Sequence, residues 1–570
     1  MNVISRRLLA PLIILVLTVF SSPAQRRSAP DRPRLIVLLV IDQFREEYLL
    51  RFEPFFGDRG FRRLLTYGAV FVNCQYEHAP TVTAPGHATI ATGAAPAAHG
   101  IINNEWYERE TGQVVTSVSD PARRVIGAPS GRASSPHRLI GTTLGDELRL
   151  NTNLRSKVIA LSYKDRSAIL LGGKLANLAL WFDESSGAFI TSDYYANALP
   201  EWVARFNATR PADRYFGARW EKSFPEAVYA LAAADDRPEE TPLPGGGRTF
   251  PHHLTGGLAQ PGPAFYTAFT FTPFANEVLI ELAKRAIESE HLGRDEFPDL
   301  LAISFSTNDL VGHAFGPYSH EVADLTLRTD QMVAALLTYL DARFGSNYIL
   351  ALTADHGVAP IPEEAARMKL GGRRISPAAV RQAIEEAVSA RFGEGPWIEP
   401  RALPLLSSGF VYLNREAIAQ KHLDIADVER VAGEAALKVP GLARYYTRTQ
   451  LLAGGVHEDP IGRRVAQSFH PARSPDLILI PEPFAFISGS RTGTTHGSPY
   501  SYDAHVPLIL FGRGITPGIY RSACTPADLA PTLAAALRIE YPANATGRVL
   551  WEALQPAASP RVVPHPMTSR

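Results

Sequence analysis

The 570-residue chain has no surplus of charge. Its 57 Lys and Arg stand against 57 Asp and Glu, a formal net charge of zero. A nucleic acid held by bulk charge is therefore not an expected partner. Only 2 cysteines are present, which excludes a disulfide framework and a Cys-rich zinc module. Cys74 and Cys524 can join only if the fold brings them together in an oxidising compartment. Internal repeats and low-complexity tracts are missing, and no apolar run beyond the N-terminus is long enough to cross a bilayer. Hydrophobic residues at 45% and charged residues at 20% fit a large folded protein and exclude a disordered chain or a coiled coil. What remains for metal or acid–base work is a set of 16 histidines.

The first 25 residues carry an address. Arg6 and Arg7 precede an apolar run from Leu8 to Phe20, and the small residues Ser21 to Ala24 follow. This is the pattern of a secretory signal peptide over residues 1–24, with cleavage after Ala24. The run is short for a span of about 20 residues, so a retained anchor is the weaker alternative. The expectation is a periplasmic or secreted monomer, with no stable membrane insertion once the signal is removed.

Several short apolar, β-branched runs read as buried parallel strands: Leu35–Ile41, Lys157–Leu161, Leu300–Phe305, Tyr348–Thr353, Leu477–Ile480 and Pro507–Phe511. They alternate with helical patterns. The clearest helix spans about Val322 to Arg343, with Leu325, Met332, Val333, Leu336, Leu337 and Leu340 on one face. The expected fold is α/β, a mostly parallel central sheet with helices on both faces. Residues 33–545 are expected to form this domain, interrupted by insertions at about 168–263 and about 360–474, with a tail over 546–570.

In such sheets ligands bind beyond the carboxyl ends of the strands. Leu35–Ile41 is followed at once by Asp42, Leu300–Phe305 by Asp309 and His313, and Tyr348–Thr353 by Asp355 and His356. His496 sits in a small-residue loop, Gly493-Thr-Thr-His496-Gly-Ser. Each alone is weak, because an Asp after a strand is usually a turn or cap residue. Together they favour a metal centre, and Asp with His suits Zn²⁺. So many ligands exceed one tetrahedral ion, which implies two ions and chemistry at phosphorus.

Between the first two ligand clusters lies Pro80-Thr-Val-Thr83-Ala-Pro-Gly-His87, running on to Gly93. The spacing predicts a helix of small residues with Thr83 at its N-terminus, where anions are favoured, and Gly93 at its stop. Thr83 is the candidate nucleophile, provided a base or metal lowers its pKa. Thr81 is its competitor, and an N-cap role is the plainer alternative.

Further segments carry a resemblance. Val40-Ile-Asp42-Gln, the Thr83 segment, His99-Gly-Ile-Ile-Asn-Asn104-Glu-Trp106-Tyr, Ser162-Tyr-Lys164-Asp-Arg166, Ser304 to His313, Thr353-Ala-Asp355-His356-Gly357 and His496-Gly occur in that order. The chain from about Arg34 to Ala545 thereby resembles the alkaline phosphatase superfamily, in its nucleotide pyrophosphatase/phosphodiesterase-like branch, near the PafA-type periplasmic alkaline phosphatases.

The resemblance implies one zinc held by Asp309, His313 and His496, and a second held by Asp42, Asp355 and His356 with Thr83. It implies attack by Thr83 on a small phosphate ester to form a phospho-threonine. Asn104 would donate to a phosphate oxygen, and Lys164 with Arg166 would grip the others. A monoester dianion offers one more charged oxygen than a diester, which Arg can bind bidentately. Without the resemblance, Lys164 and Arg166 would read as a solvated turn. The expected activity is phosphate monoester hydrolysis. The alternatives are a phosphodiesterase or nucleotide pyrophosphatase on the same site, and a non-catalytic metal- or phosphate-binding protein. Cys74-Gln-Tyr-Glu-His78 lacks the sulfatase pattern. No role falls to His78, His87, His99, His252, His253, His320 or His505.

Overall fold

The computed structural model describes residues 32–129, 131–456 and 458–555, so the expected signal segment lies outside the described residues. Leu35–Ile41, with no polar side chain in 7 residues, is the central strand and is buried throughout. A strand covered on both faces needs that composition. Its parallel neighbours are Asp299–Phe305 and Tyr348–Thr353. Val158–Ser162 and Leu178–Asp183 continue the parallel array. Ala188–Ser192 and Val125–Ile126 close that side antiparallel. On the other side Leu508–Gly512 pairs antiparallel with Tyr348–Thr353, and Ala69–Phe71 and Gly518–Tyr520 complete a sheet of 10 strands.

Two of the six expected parallel strands therefore differ from expectation. The run at Pro507–Phe511 joins the sheet antiparallel, and the run at Leu477–Ile480 is not in it. Leu477–Pro481 instead lies between Phe410–Val411 and Leu442–Thr447 in a separate antiparallel sheet of 3 strands. An apolar run states that a strand is buried; it does not state its partner or direction. This second sheet shares a small core with the helices Pro377–Phe392 and Ile425–Ala436, through Val380, Ile384, Val428, Leu477 and Leu479.

Helices cover the main sheet. His320–Phe344 starts where the Ser319 hydroxyl accepts the Val322 N–H at 3.1 Å, and it packs on Pro273–Ser289. Thr83–Thr92 packs on Asp165–Gly172. Leu178–Asp183 and Ala188–Ser192, inside the stretch expected as an insertion, are strands of the main sheet. The stretch from 546 packs on the body as far as it is described: Thr546 and Gly547 N–H groups donate to Gly93 O, and Leu550 is fully buried.

Register explains how the site assembles. Val40 is level with both Ser304 and Thr353, and Ser304 is level with Ser162. Four parallel strands thus end at one height. Asp42, Asp355 and Lys164 each follow two residues later, and Asp309 follows on the next helical turn.

Candidate active site

Beyond these strand ends the acidic and imidazole groups fall into two sets. Asp309, His313 and His496 form one, and Asp42, Asp355 and His356 the other. Within each, one donor atom per residue lies within 4.8 Å of the rest. Asp309 and His313 stand one turn apart on the helix Thr307–Phe315, with His313 Nε2 3.1 Å from Asp309 Oδ1.

Each imidazole is held from behind by a backbone carbonyl. Thr494 O lies 2.7 Å from His313 Nδ1, Thr81 O 2.8 Å from His496 Nδ1, and Gly357 O 2.9 Å from His356 Nδ1. A carbonyl only accepts, so each Nδ1 carries a proton, and each Nε2 is the atom turned toward the carboxylates. Metal-ligating histidines are fixed in this way. Burial, against the pull of Asp355, lowers the His356 pKa to about 3, so this ring stays neutral. Asp42 Oδ1 is buried without a hydrogen-bond partner. Burial, and then the neighbouring Asp355, push the Asp42 carboxyl well above the usual range. An ionised Asp42 needs added positive charge beside it. Nitrogen and oxygen donors in these numbers fit a divalent ion of the zinc type in each set.

Lys164 spans the two sets. Its Nζ donates to Asp42 Oδ2 at 2.7 Å and to Asp309 Oδ2 at 2.5 Å. Burial opposes the charge on Asp309, but His313 and Lys164 outweigh it and hold its carboxyl well below the usual range.

Thr83 opens the helix Thr83–Thr92, which ends at Gly93 with a φ of 66°. Its Oγ1 lies 3.5 Å from His356 Nε2. The Thr81 hydroxyl donates to Ser498 O at 2.8 Å, so it is engaged in holding the loop of His496. At Gly86 a Cβ would stand 2.3 Å from the Asp355 carbonyl oxygen. Only glycine lets the helix pack this closely on the metal-site turn. Asn104 Oδ1 accepts the Ala84 N–H at 2.8 Å, which leaves its NH₂ free to donate. Arg166 lies in the first turn of Asp165–Gly172, and its Nε is buried without a partner. Arg166, Asn104, His313 and His496 line one cavity of about 570 Å³. Its other wall includes Leu405, Phe410 and Phe486 from the subdomain around the second sheet.

Two residues without an assigned role belong to this site. His87 Nδ1 lies 2.9 Å from Thr83 O and 3.2 Å from Asp355 Oδ2, and its Nε2 lies 2.8 Å from Ser304 Oγ. Its signal in the sequence was the four-residue spacing from Thr83 on one helical face. Gln43, at a φ of 67°, donates its backbone N–H to Asp355 Oδ1 at 3.1 Å and its Nε2–H to Asp309 Oδ1 at 2.6 Å. It links both sets, and nothing in its residue type announced that. His252 pairs instead with Glu321, 2.9 Å away.

Residues 36–502 match the family model described as type I phosphodiesterase / nucleotide pyrophosphatase. A protein named calcium-transporting ATPase from Myroides odoratus is 36% identical, over 92% of this chain and 95% of that one. Alkaline phosphatase PhoV of Synechococcus elongatus is 35% identical, over 92% and 93%. Alkaline phosphatase PafA of Elizabethkingia meningoseptica is 34% identical, over 93% and 96%. The crystal structure of wild-type PafA superposes with a TM-score of 0.85 at 33% identity, covering 92% of this chain and 99% of that one.

Proposed function

The chain belongs to the type I phosphodiesterase / nucleotide pyrophosphatase family and is an alkaline phosphatase; from that premise we propose that it is an exported phosphate monoester hydrolase that works through a phospho-threonine at Thr83. The observation that carries this reading is the placement of the Thr83 hydroxyl at a helix N-terminus, 3.5 Å from His356 Nε2 and so beside the set of Asp42, Asp355 and His356. Asp309, His313 and His496 would hold one Zn²⁺, and Asp42, Asp355 and His356, with Thr83 Oγ1, the other. When bound, the two ions supply Lewis-acid charge that favours the ionised threonine and offsets charge on the phosphoryl group.

The chain's own groups do the rest. Thr83 gives up its hydroxyl proton to solvent, its Oγ1 attacks phosphorus, the bond to the ester oxygen breaks in line, and the leaving alkoxide takes up a proton from water. Asn104, its carbonyl oxygen already occupied by Ala84 N–H, turns its NH₂ to one non-bridging oxygen. The Arg166 guanidinium, with a buried Nε that has no protein partner, binds the remaining oxygens of a dianion. Lys164 keeps positive charge between Asp42 and Asp309. Water then attacks phospho-Thr83, releasing inorganic phosphate and restoring the hydroxyl.

A diesterase reading has one observation in its favour: the cavity of about 570 Å³ has apolar walls that could seat a second ester group. The transport named for the Myroides protein is not carried over, since the donor set here is one for phosphoryl transfer. The deciding experiment compares turnover of a monoester and a diester of the same phenol, with metal analysis of the purified protein. Faster monoester cleavage, lost in chelator, restored by Zn²⁺ and abolished in Thr83→Ala, is expected. Faster diester cleavage would replace the reading by its rival, and an unchanged rate in Thr83→Ala would remove the nucleophile.

A further inference from the structure

The only two cysteines in the sequence meet at the edge of the main sheet. Gly518–Tyr520 is the outermost strand on that side and pairs parallel with Ala69–Phe71. Beyond both strands the pairing resumes for one step, in which Cys74 stands directly opposite Cys524. Two hydrogen bonds hold this step: Cys524 N–H donates to Asn73 O at 3.1 Å, and Gln75 N–H to Cys524 O at 2.9 Å. Directly opposed residues of a ladder send their side chains to the same face. Neighbouring strands lie about 4.8 Å apart, inside the roughly 4.4–6.8 Å between Cα atoms that a disulfide spans. Cys74 and Cys524 are both buried free thiols, on directly opposed residues. Neither cysteine belongs to the two Asp/His sets described above.

We propose that Cys74 and Cys524 form a structural disulfide in the mature protein. Each thiol gives up its proton, the two sulfurs join in one S–S bond, and two electrons pass to the disulfide of a thiol–disulfide oxidant, which leaves as a dithiol. Cys524 offers the route for the oxidant. It lines a surface groove of about 330 Å³ with Glu77, His78 and Arg548, whereas Cys74 is wholly buried. A mixed disulfide formed at Cys524 is resolved by Cys74. Burial raises the Cys74 thiol well above its ordinary value, which slows this resolving step and, because a high-pKa thiol leaves poorly, later exchange of the bond as well.

The position gives the bond its purpose. Cys74 lies on the stretch that leads to Thr83, and Cys524 opens the stretch Thr525–Asp528, which packs against the helix of Thr83. One bond therefore ties the approach to the nucleophile helix to the segment that backs it. It also anchors a three-residue edge strand, which ladder hydrogen bonds alone hold weakly. The loop it closes includes most of the chain, the case in which a cross-link constrains the unfolded state most.

The test uses the full chain purified with both thiols reduced, so it does not depend on export. The protein is brought to equilibrium in an oxidised-glutathione buffer containing a disulfide oxidoreductase, then denatured, treated with a maleimide and digested without reductant. The expected result is no labelled cysteine and a single species joining the Cys74 and Cys524 peptides, which reduction separates. The thermal midpoint is expected to rise by several degrees over the reduced protein and over a Cys74→Ser/Cys524→Ser variant, with monoester turnover unchanged in both. Labelling of either thiol, or glutathione on both, overturns the bond. A bond with no change in midpoint overturns its role as a staple.

Discussion

His87 Nδ1 lies 3.2 Å from Asp355 Oδ2, and both side chains are wholly shielded from solvent. The same Nδ1 reaches the Thr83 carbonyl, and Nε2 reaches Ser304 Oγ. One ring thus ties the helix that begins at Thr83 to the carboxylate of the second Asp/His set and to the end of a central strand. The link is local in sequence at one end and more than two hundred residues distant at the other.

Replacing His87 by Leu keeps the volume and removes the link. Outer partners of metal ligands are worth about 10- to 100-fold in metal affinity, and a loss of that order is expected at the site of Asp42, Asp355 and His356. Zinc retained after dialysis against a buffered chelator measures it. Retention equal to wild type would reduce His87 to a packing residue.

Arg166→Ala is expected to separate the two ester classes. A bidentate charge-assisted contact to a dianion is lost, at a cost on the order of 10²-fold or more in kcat/KM for a monoester. A diester lacks the extra charged oxygen and should lose far less. Measuring both with one phenol leaving group decides the matter, and equal losses would show that Arg166 does not read the dianion.

Gly86→Ala brings a methyl group to 2.3 Å from the Asp355 carbonyl oxygen. The helix has to move away from the metal-site turn. Overpacking of this kind costs about 1–3 kcal/mol of stability, while a displacement of about 1 Å at a reacting group costs about 10²-fold in rate. The expected variant folds, with a modestly lowered denaturation midpoint and a disproportionate loss of kcat. Full activity would mean that the contact can relax without moving Thr83.

Glu321 and His252 offer a pH test remote from the chemistry. Burial, and then Asp235, raise the Glu321 carboxyl to about 8, and burial lowers His252 to about 4. Between these values the pair is two neutral groups sharing one hydrogen bond. A carboxyl whose folded pKa exceeds its unfolded value makes the folded state bind more protons, so stability falls as pH rises towards the folded pKa. The imidazole acts in the opposite sense, but only below its unfolded value near 6.5. Stability is therefore expected to fall from about pH 6.5 to about pH 8, with a Glu321 contribution of at most about 2 kcal/mol. Urea midpoints across that range should drop in wild type and drop less in Glu321→Gln, the remaining slope belonging to Glu240, which burial also raises to about 8. Parallel slopes would show that Glu321 is ionised throughout.

Much of the site was legible because strand ends are legible. Seven apolar residues followed at once by Asp42 mark a buried strand with a carboxylate at its end, and Asp355 stands two residues beyond the strand Tyr348–Thr353. The sequence by itself determined the α/β class, the Asp and His groups that follow the strands, the helix Thr83–Thr92 with its stop at Gly93, and the one-turn spacing of Asp309 and His313, since all follow from residue pattern and local chemistry. It did not determine that Leu477–Pro481 leaves the main sheet, that Leu508–Gly512 runs antiparallel, or that Gln43 and Lys164 each bridge the two Asp/His sets. Those depend on which strands pair and in what register, and pairing is settled by contacts between residues hundreds of positions apart. A neutral chain with two cysteines could be read as lacking both charge and cross-links. Only the tertiary structure gathers Asp42 and Asp309 around one lysine and sets its two cysteines opposite each other.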